Sequence, residues 1–253
     1  MPRFAACLAS LWPGLSLTEA AGRAADAGFD AVEVTDPYSA PIPELAEELR
    51  LRGLAVSAIA CPPPNYTGGQ RGFAAVPGLE VRFKGDLRRA LRYVKALGAQ
   101  NLILMAGEAE GEAARQTLLA NLAHAREQPT GTRLLIRPVS PRRHPGAMLG
   151  DLGLAEEVVR QVGPEKLGLV FDAWHIHEMT GDVAGTWARL HPLVGHVQVA
   201  GYPGGHEPAG GEIDYPAFFA QMDESGYKGW VTGNYRPGGT VEAGLGWRAA
   251  RGG

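Results

Sequence analysis

The chain has 253 residues, 45% of them hydrophobic and 20% charged, which is typical of a globular protein with a large buried core. The formal net charge of -3 gives no electrostatic basis for binding nucleic acid or an anionic membrane. No apolar run approaches the roughly 20 residues of a membrane-spanning helix. Cys7 and Cys61 lie in apolar segments and are expected to be buried, reduced thiols. We therefore expect a cytoplasmic protein without nucleic-acid or membrane partners.

Short apolar segments alternate with longer helical patterns eight times along the chain. A threonine, Thr18, is the expected N-cap of the first helix, and glycines follow the first three helices. Eight strand–helix units in about 250 residues predict an α/β fold, a single (β/α)8 TIM barrel that spans 1–253 as one domain. In chain order the predicted pairs are 4–9 with 18–27, 31–34 with 44–52, 56–61 with 83–97, 101–105 with 113–127, 133–136 with 152–162, 167–171 with 182–190, 194–199 with 215–225, and 230–235 with 242–250.

An open, doubly wound sheet is the alternative architecture. It would need a glycine-rich phosphate-binding turn after the first strand, and the sequence SLWPGLS at that place does not provide one. In a barrel the chemistry lies at the carboxyl ends of the strands, and the longest loops, after strands three, five and seven, would cover that end. The polar residues predicted there are Glu33, Arg137, Asp172, His175, His196, Gln198 and Asn234.

Several of these residue types suit metal or substrate binding. Asp172 closes a strand and His175 follows three residues later, so the carboxylate could bind a divalent metal and the imidazole a substrate. The same pair could instead cap a helix and lie at the surface. The amide of Gln198 is either a ligand for a hard cation or a satisfied core group. Glu207 lies in a loop rich in glycine and proline that a small polar substrate could approach.

Seven stretches of the sequence occur in a characteristic order and spacing, namely GFDAVEV, QRGFAAVPG, FDAWH, GHVQVA, EPAGGEIDY, GYKGWV and EAGLGW. Together they resemble the hydroxypyruvate isomerase family of the xylose-isomerase-like TIM barrels. This resemblance implies the barrel fold and an aldose–ketose type of isomerisation. It also implies a divalent metal such as Mg²⁺ with four ligands, a Glu, an Asp, a Gln and a Glu after strands five to eight. The two glutamates would also move the proton between adjacent carbons.

The resemblance places the family's Asp on Asp172 and its Gln on Gln198, but the two glutamates fall on Arg137 and Asn234. The four positions carry a charge of -3 in the family pattern and 0 here, because Arg137 now offsets Asp172. A guanidinium keeps its proton and an amide has none to move, so the acid/base positions are lost. With only Asp172 and Gln198 left as ligand positions, we expect no metal and no other cofactor.

The first hypothesis is a member of this family that is inactive as a metal-dependent isomerase. Arg137 would pair with Asp172, because a buried charge needs a partner. The cleft could still bind a small anion or sugar acid, since guanidinium and imidazole groups favour carboxylates. The candidate ligand-binding residues are Arg137, Asp172, His175, Gln198, Glu207 and Asn234.

Three alternatives stay open. One is an enzyme with changed, metal-independent chemistry on a small hydroxy-carbonyl substrate. Its site would be built from His175, His177, Glu207, Arg142 and Arg143. Another is residual hydroxypyruvate isomerase activity. The last is a structural or partner-binding role, with a homo-oligomer as one form.

Overall fold

The computed structural model describes residues 2–61 and 72–249. Eight parallel strands close into a barrel in sequence order. The predicted TIM barrel is confirmed, and the open sheet is wrong because the first strand pairs with the eighth. The strands are β1 (Arg3–Cys7), β2 (Ala31–Val34), β3 (Ala55–Cys61), β4 (Asn101–Leu104), β5 (Arg133–Ile136), β6 (Leu167–Asp172), β7 (Val194–Val199) and β8 (Trp230–Gly233).

Helices surround the barrel, and three short 3₁₀ segments, Pro37–Ser39, His191–Leu193 and Glu242–Ala249, join them. Each helix buries one face against the strands, which forms the main core between the two layers. No helix in the described ranges is both long enough and apolar enough to cross a bilayer. The α-helices are α1 (Leu8–Leu11), α2 (Leu17–Asp26), α3 (Ile42–Leu51), α4 (Glu80–Leu97), α5 (Gly111–Arg126), α6 (Leu152–Val162), α7 (Ala173–Thr180), α8 (Val183–Leu190) and α9 (Tyr215–Glu224).

Two element predictions need correction. The N-cap of α2 is Ser16 rather than Thr18, because the Ser16 hydroxyl accepts from the Glu19 N–H and the Glu19 carboxylate accepts from the Ser16 N–H, at 3.3 and 3.0 Å. The segment predicted as the last α-helix is 3₁₀-helical, and its glycines are weak α-helix formers. Residue 250 of that prediction, and residues 62–71 of the loop after β3, lie outside the described ranges.

Side chains fill the inside of the barrel in layers, beginning at the amino ends of the strands, which we call the floor. Arg133 lies at the floor and donates to the carbonyls of Leu193 and Val194 at 3.3 and 3.2 Å. Gly168 leaves room for it, since a Cβ there would lie 2.9 Å from the Arg133 Nε. Above it, Leu135 belongs to a small apolar layer inside the barrel. Both cysteines are buried and free, as expected.

The pleat of the strands explains how the site is assembled. Side chains alternate between the two faces of a strand, so Arg133 and Leu135 place the next residue but one, Arg137, on the inward face at the open end. The same period of two applies to the other strands. It brings the predicted strand-end residues to the inside of the barrel at its carboxyl end, namely Glu33, Asp172, Gln198 and Asn234.

Candidate functional site

An open cavity of about 720 Å³ lies at the carboxyl end of the barrel. Of the six residues predicted to bind a ligand, four line it: Arg137, Asp172, His175 and Asn234. Gln198 lies beneath the cavity and is only 1% exposed. Glu207 is not among the lining residues. The structure therefore brings five of the six candidates to one place and leaves one aside.

A chain of polar side chains runs from the cavity into the barrel. Arg137 donates from Nη1 to the amide oxygen of Gln198 at 3.1 Å. The amide nitrogen of Gln198 then donates to Oε1 of Glu33 at 2.6 Å. A single amide thus connects a guanidinium to a buried carboxylate, and each end of the amide has the partner that its chemistry requires.

The carboxylate of Glu33 is the inner anchor of this chain. It is fully buried, and its second oxygen accepts from Nε2 of His196 at 2.8 Å. Thr232 places its hydroxyl 3.1 Å from the same ring nitrogen. Burial acts to raise the pKa of Glu33, but the bonds from His196 and Gln198 and the charge of Arg137 outweigh it. The pKa of Glu33 therefore lies below its usual range, and the group is a carboxylate at neutral pH.

The predicted pair between Arg137 and Asp172 is wrong. Among the described residues Arg137 forms no ion pair, and its one hydrogen bond is that to Gln198. Asp172 instead caps α7, its Oδ1 accepting from the backbone N–H of His175 at 3.3 Å. The half-buried charge of Arg137 is stabilised by its hydrogen bond to Gln198 and by the nearby carboxylate of Glu33, which Gln198 connects to it. The Nε of Arg137 stays buried without a partner in this part of the chain.

His175 is held in one tautomer by the backbone. Its Nδ1 accepts from the N–H of Ser140 at 3.1 Å, so the neutral ring carries its proton on Nε2. Burial lowers the pKa of His175 first, Asp172 opposes that shift, and the charge of Arg137 adds to it. The net direction is downward, so the ring is neutral at pH 7. It can donate from Nε2 to a ligand in the cavity.

Asn234 lies just after β8, and its side-chain oxygen accepts from the hydroxyl of Ser10 at 2.5 Å. Ser10 lies in α1 and also lines the cavity. Sequence reasoning missed Ser10, which sits in the apolar run CLASLW. A lone hydroxyl one turn beyond the end of a barrel strand was the only available signal.

Of the five residues expected to build a site for changed, metal-independent chemistry, the structure brings only His175 and Arg143 to the cavity. Glu207 accepts from the N–H of Gly238 at 3.0 Å, which holds its carboxylate against the loop after β8. His177 lies 3.3 Å from Glu212. Arg142 lines a different surface cleft.

Arg143 reaches the cavity but is already paired. It donates to Glu178 at 3.1 Å, and its guanidinium lies 4.9 Å from the centre of the Trp174 ring. Arg143, Trp174 and Arg236 line the cavity together with Arg137. Since Glu178 already neutralises Arg143, the charges left to attract a ligand are those of Arg137 and Arg236. Asp172 is the one carboxylate among the described lining residues, so the mouth of the barrel favours an anion.

The donor set at the four aligned positions does not fit a divalent metal. The amide oxygen of Gln198 is taken by Arg137, and Asp172 would be the only carboxylate ligand. Within residues 2–61 and 72–249, no group of three or more His, Cys, Asp or Glu side chains is placed to hold a metal ion.

The fold and the position of this cavity define a class, the xylose isomerase-like TIM barrels, and the chain belongs to it. The family model of that description matches residues 21–251. The chain is 38% identical over 253 residues to 2-oxo-tetronate isomerase of Cupriavidus necator, covering 98% of this chain and 97% of that protein. It is 32% identical over 253 residues to hydroxypyruvate isomerase of Escherichia coli, covering 98% of each.

One solved structure has a closely similar fold. It is described as AP endonuclease, family 2, from Brucella melitensis, with a TM-score of 0.94, 34% identity and coverage of 98% of both chains. The resemblance stated from the sequence is confirmed: this is an isomerase-like barrel related to hydroxypyruvate and 2-oxo-tetronate isomerases.

Proposed function

We propose that this barrel does not carry out metal-dependent isomerisation and instead binds a small hydroxy-carboxylate, a sugar acid or a related anion, at its mouth. The observation that carries the proposal is the bond from Arg137 to Gln198. Where the family resemblance implies a glutamate that binds a metal and acts as a base, this chain has the fixed positive charge of Arg137, which lines an open cavity.

Loss of the isomerase reaction follows from the chemistry of the replaced groups. Isomerisation between adjacent carbons needs a base that takes a proton and an acid that returns it. A guanidinium group, such as that of Arg137, does not act as a base, and the amide of Asn234 is neither an acid nor a base in water. A divalent ion that could polarise the substrate oxygens would have to displace the guanidinium from Gln198 and would find a single carboxylate, Asp172.

Binding of a hydroxy acid is supported by the groups that remain. The guanidinium of Arg137 is suited to a carboxylate, because its planar fork can make charge-assisted hydrogen bonds. His175 offers an Nε2–H donor, and Asp172 can accept from a hydroxyl group. Ser10 and Asn234 add small polar groups at the opposite wall. A ligand with a carboxylate next to a hydroxyl group can therefore hydrogen-bond to these side chains without a metal.

Calorimetric titration of the purified protein with glycerate and with 2-oxo-tetronate tests this proposal. We expect saturable binding of at least one acid, and Arg137→Gln should weaken it at least tenfold, as loss of a hydrogen bond to a charged group does. Arg160→Gln, on the exposed face of α6, is the matched control and should leave the affinity unchanged. No saturable binding, or equal binding by Arg137→Gln, would contradict the proposal.

Changed, metal-independent chemistry is the second candidate, and the neutral His175 favours it. The Nε2–H of this neutral ring can donate a hydrogen bond to a substrate carbonyl and polarise it without a metal, but a second group would have to move the proton. Incubating the protein with hydroxypyruvate, with and without added Mg²⁺, separates the candidates. If tartronate semialdehyde forms and its rate of formation rises with Mg²⁺, the result would support residual isomerase activity. If hydroxypyruvate is consumed at a rate that does not depend on Mg²⁺, the result would support the changed reaction.

A further inference from the structure

A second, small pocket adjoins the cavity and differs from it in character. Its volume is about 60 Å³, and it shares Arg137 and His144 with the larger cavity. Apart from Arg137, His144 and Glu108, its walls are backbone and apolar side chains. We call it the arm pocket, and its apolar lining residues are Met105, Ala106, Val139, Ala147 and Leu149.

Backbone hydrogen bonds hold the walls of the arm pocket in place. The loop after β5 folds back on the loop after β4, and Met148 donates to the carbonyl of Gly107 at 3.0 Å. The next turn closes through Ala109, which donates to Gly146 at 3.1 Å. Gly107 has φ of +92°, and a Cβ there would lie 2.3 Å from the carbonyl oxygen of Gly72, so this close approach requires glycine. The pocket is therefore built by the fold.

The size and lining of the arm pocket select its occupant. A volume of about 60 Å³ equals that of about two water molecules at roughly 30 Å³ each, close to the volume of two carbon atoms with their hydrogens. Val139 and Leu149 are 9% and 2% exposed, and neither can hydrogen-bond to a hydroxyl group. A hydroxyl group that lies against these side chains would lack a hydrogen-bond partner, whereas an alkyl group packs against them without that cost.

We propose that the ligand of the barrel mouth is a short 2-hydroxy acid with an alkyl arm of about two carbons, and that this arm enters the arm pocket. The inference rests on the proposed anion-binding function. Arg137 borders both cavities, so a carboxylate bound to it can direct a substituent into the apolar side. The preferred ligand then differs from a fully hydroxylated sugar acid at the carbon atoms beyond the hydroxyl group.

Calorimetric titration of the full chain with a homologous series tests the proposal. The series is hydroxyacetate, which has no arm, followed by 2-hydroxypropanoate, 2-hydroxybutanoate and 2-hydroxyhexanoate. We expect the affinity to rise about fourfold with each buried carbon up to 2-hydroxybutanoate and to fall for 2-hydroxyhexanoate. Glycerate, with a hydroxyl group on its arm, should bind more weakly than 2-hydroxypropanoate.

Two variants assign the effect to the arm pocket. Ala147→Leu fills it, so the gain from the arm should disappear while hydroxyacetate binds as before. Ala113→Leu, at an exposed position of α5, is the matched control and should keep the full series intact. Leu149→Ala enlarges the pocket and should move the optimum to the longer acid, which gives a second test if Ala147→Leu does not fold.

The outcomes separate this inference from the function on which it rests. Binding of hydroxyacetate with no further gain from the arm would overturn the inference and leave the anion site standing. A gain from the arm that Ala147→Leu or Leu149→Ala leaves unchanged would also overturn it. If none of the acids binds, the proposed function itself fails, and the inference fails with it.

Discussion

The guanidinium of Arg137 is connected to the carboxylate of Glu33 by one side chain, the amide of Gln198. The two hydrogen bonds measure 3.1 and 2.6 Å, and each fixes the orientation of the amide for the other. This connection explains how a barrel strand can end in a full positive charge. It also occupies the amide oxygen that the family resemblance marks as a metal ligand.

Restoring both glutamates should restore a metal site. In the double variant Arg137→Glu with Asn234→Glu, the oxygen of Gln198 is released, and with Asp172 three carboxylates surround it. We expect one saturable Mn²⁺ site per chain in a calorimetric titration. Asn234→Glu alone is the control, because the guanidinium still repels the ion and occupies the amide. A double variant without a saturable site would mean that the mouth has changed beyond these two positions.

Glu33 should be important for stability. Glu33→Gln removes the charge that faces His196, Gln198 and Arg137 inside the barrel. Breaking a buried pair of this kind typically costs about 3 kcal/mol, and urea unfolding measures it. Glu44→Gln, at an exposed position of α3, should change the free energy of unfolding by less than about 0.5 kcal/mol. Equal stability of the two variants would contradict the assigned role.

The same carboxylate predicts a pH dependence. Because the pKa of Glu33 in the folded protein is lower than its ordinary value of 4.5, the unfolded chain takes up the proton first on acidification. The stabilisation is complete above about pH 4.5 and is lost as the pH falls through the folded pKa. The difference in unfolding free energy between the wild type and Glu33→Gln should therefore shrink in acid. A difference that stays constant from about pH 7 to about pH 3 would refute this origin.

The sequence predicted which residues reach the barrel mouth but not how they bond there. The rule that functional groups follow the carboxyl ends of the strands placed Arg137, Asp172 and Asn234 at the cavity. The partner of Gln198 lies 165 positions away in sequence, and no local pattern reports that contact. The bond of Glu207 could not be predicted either, because a loop carboxylate takes whichever donor the turn presents, here the N–H of Gly238.

His175 should show a single tautomer and a low pKa. In ¹⁵N-resolved spectra at pH 7 we expect the proton on Nε2 and an unprotonated Nδ1, because Ser140 donates to Nδ1. The ring should titrate below its usual 6.5, and its contribution to stability, present above 6.5, should be lost as the pH falls through the folded pKa. In Arg137→Gln the pKa of His175 should rise, since the positive charge that lowers it is gone. An unchanged titration would exclude that coupling.

Metal binding by the unmodified protein is the most direct test of the central claim. Calorimetric titration of the chelator-treated wild type with Mn²⁺, repeated with Gln198→Ala, addresses the one amide on which the account depends. We predict no saturable Mn²⁺ site in either protein, because Arg137 already occupies the oxygen of Gln198. One stoichiometric ion per wild-type chain, lost in Gln198→Ala, would contradict the account and would support a metal-dependent isomerase instead.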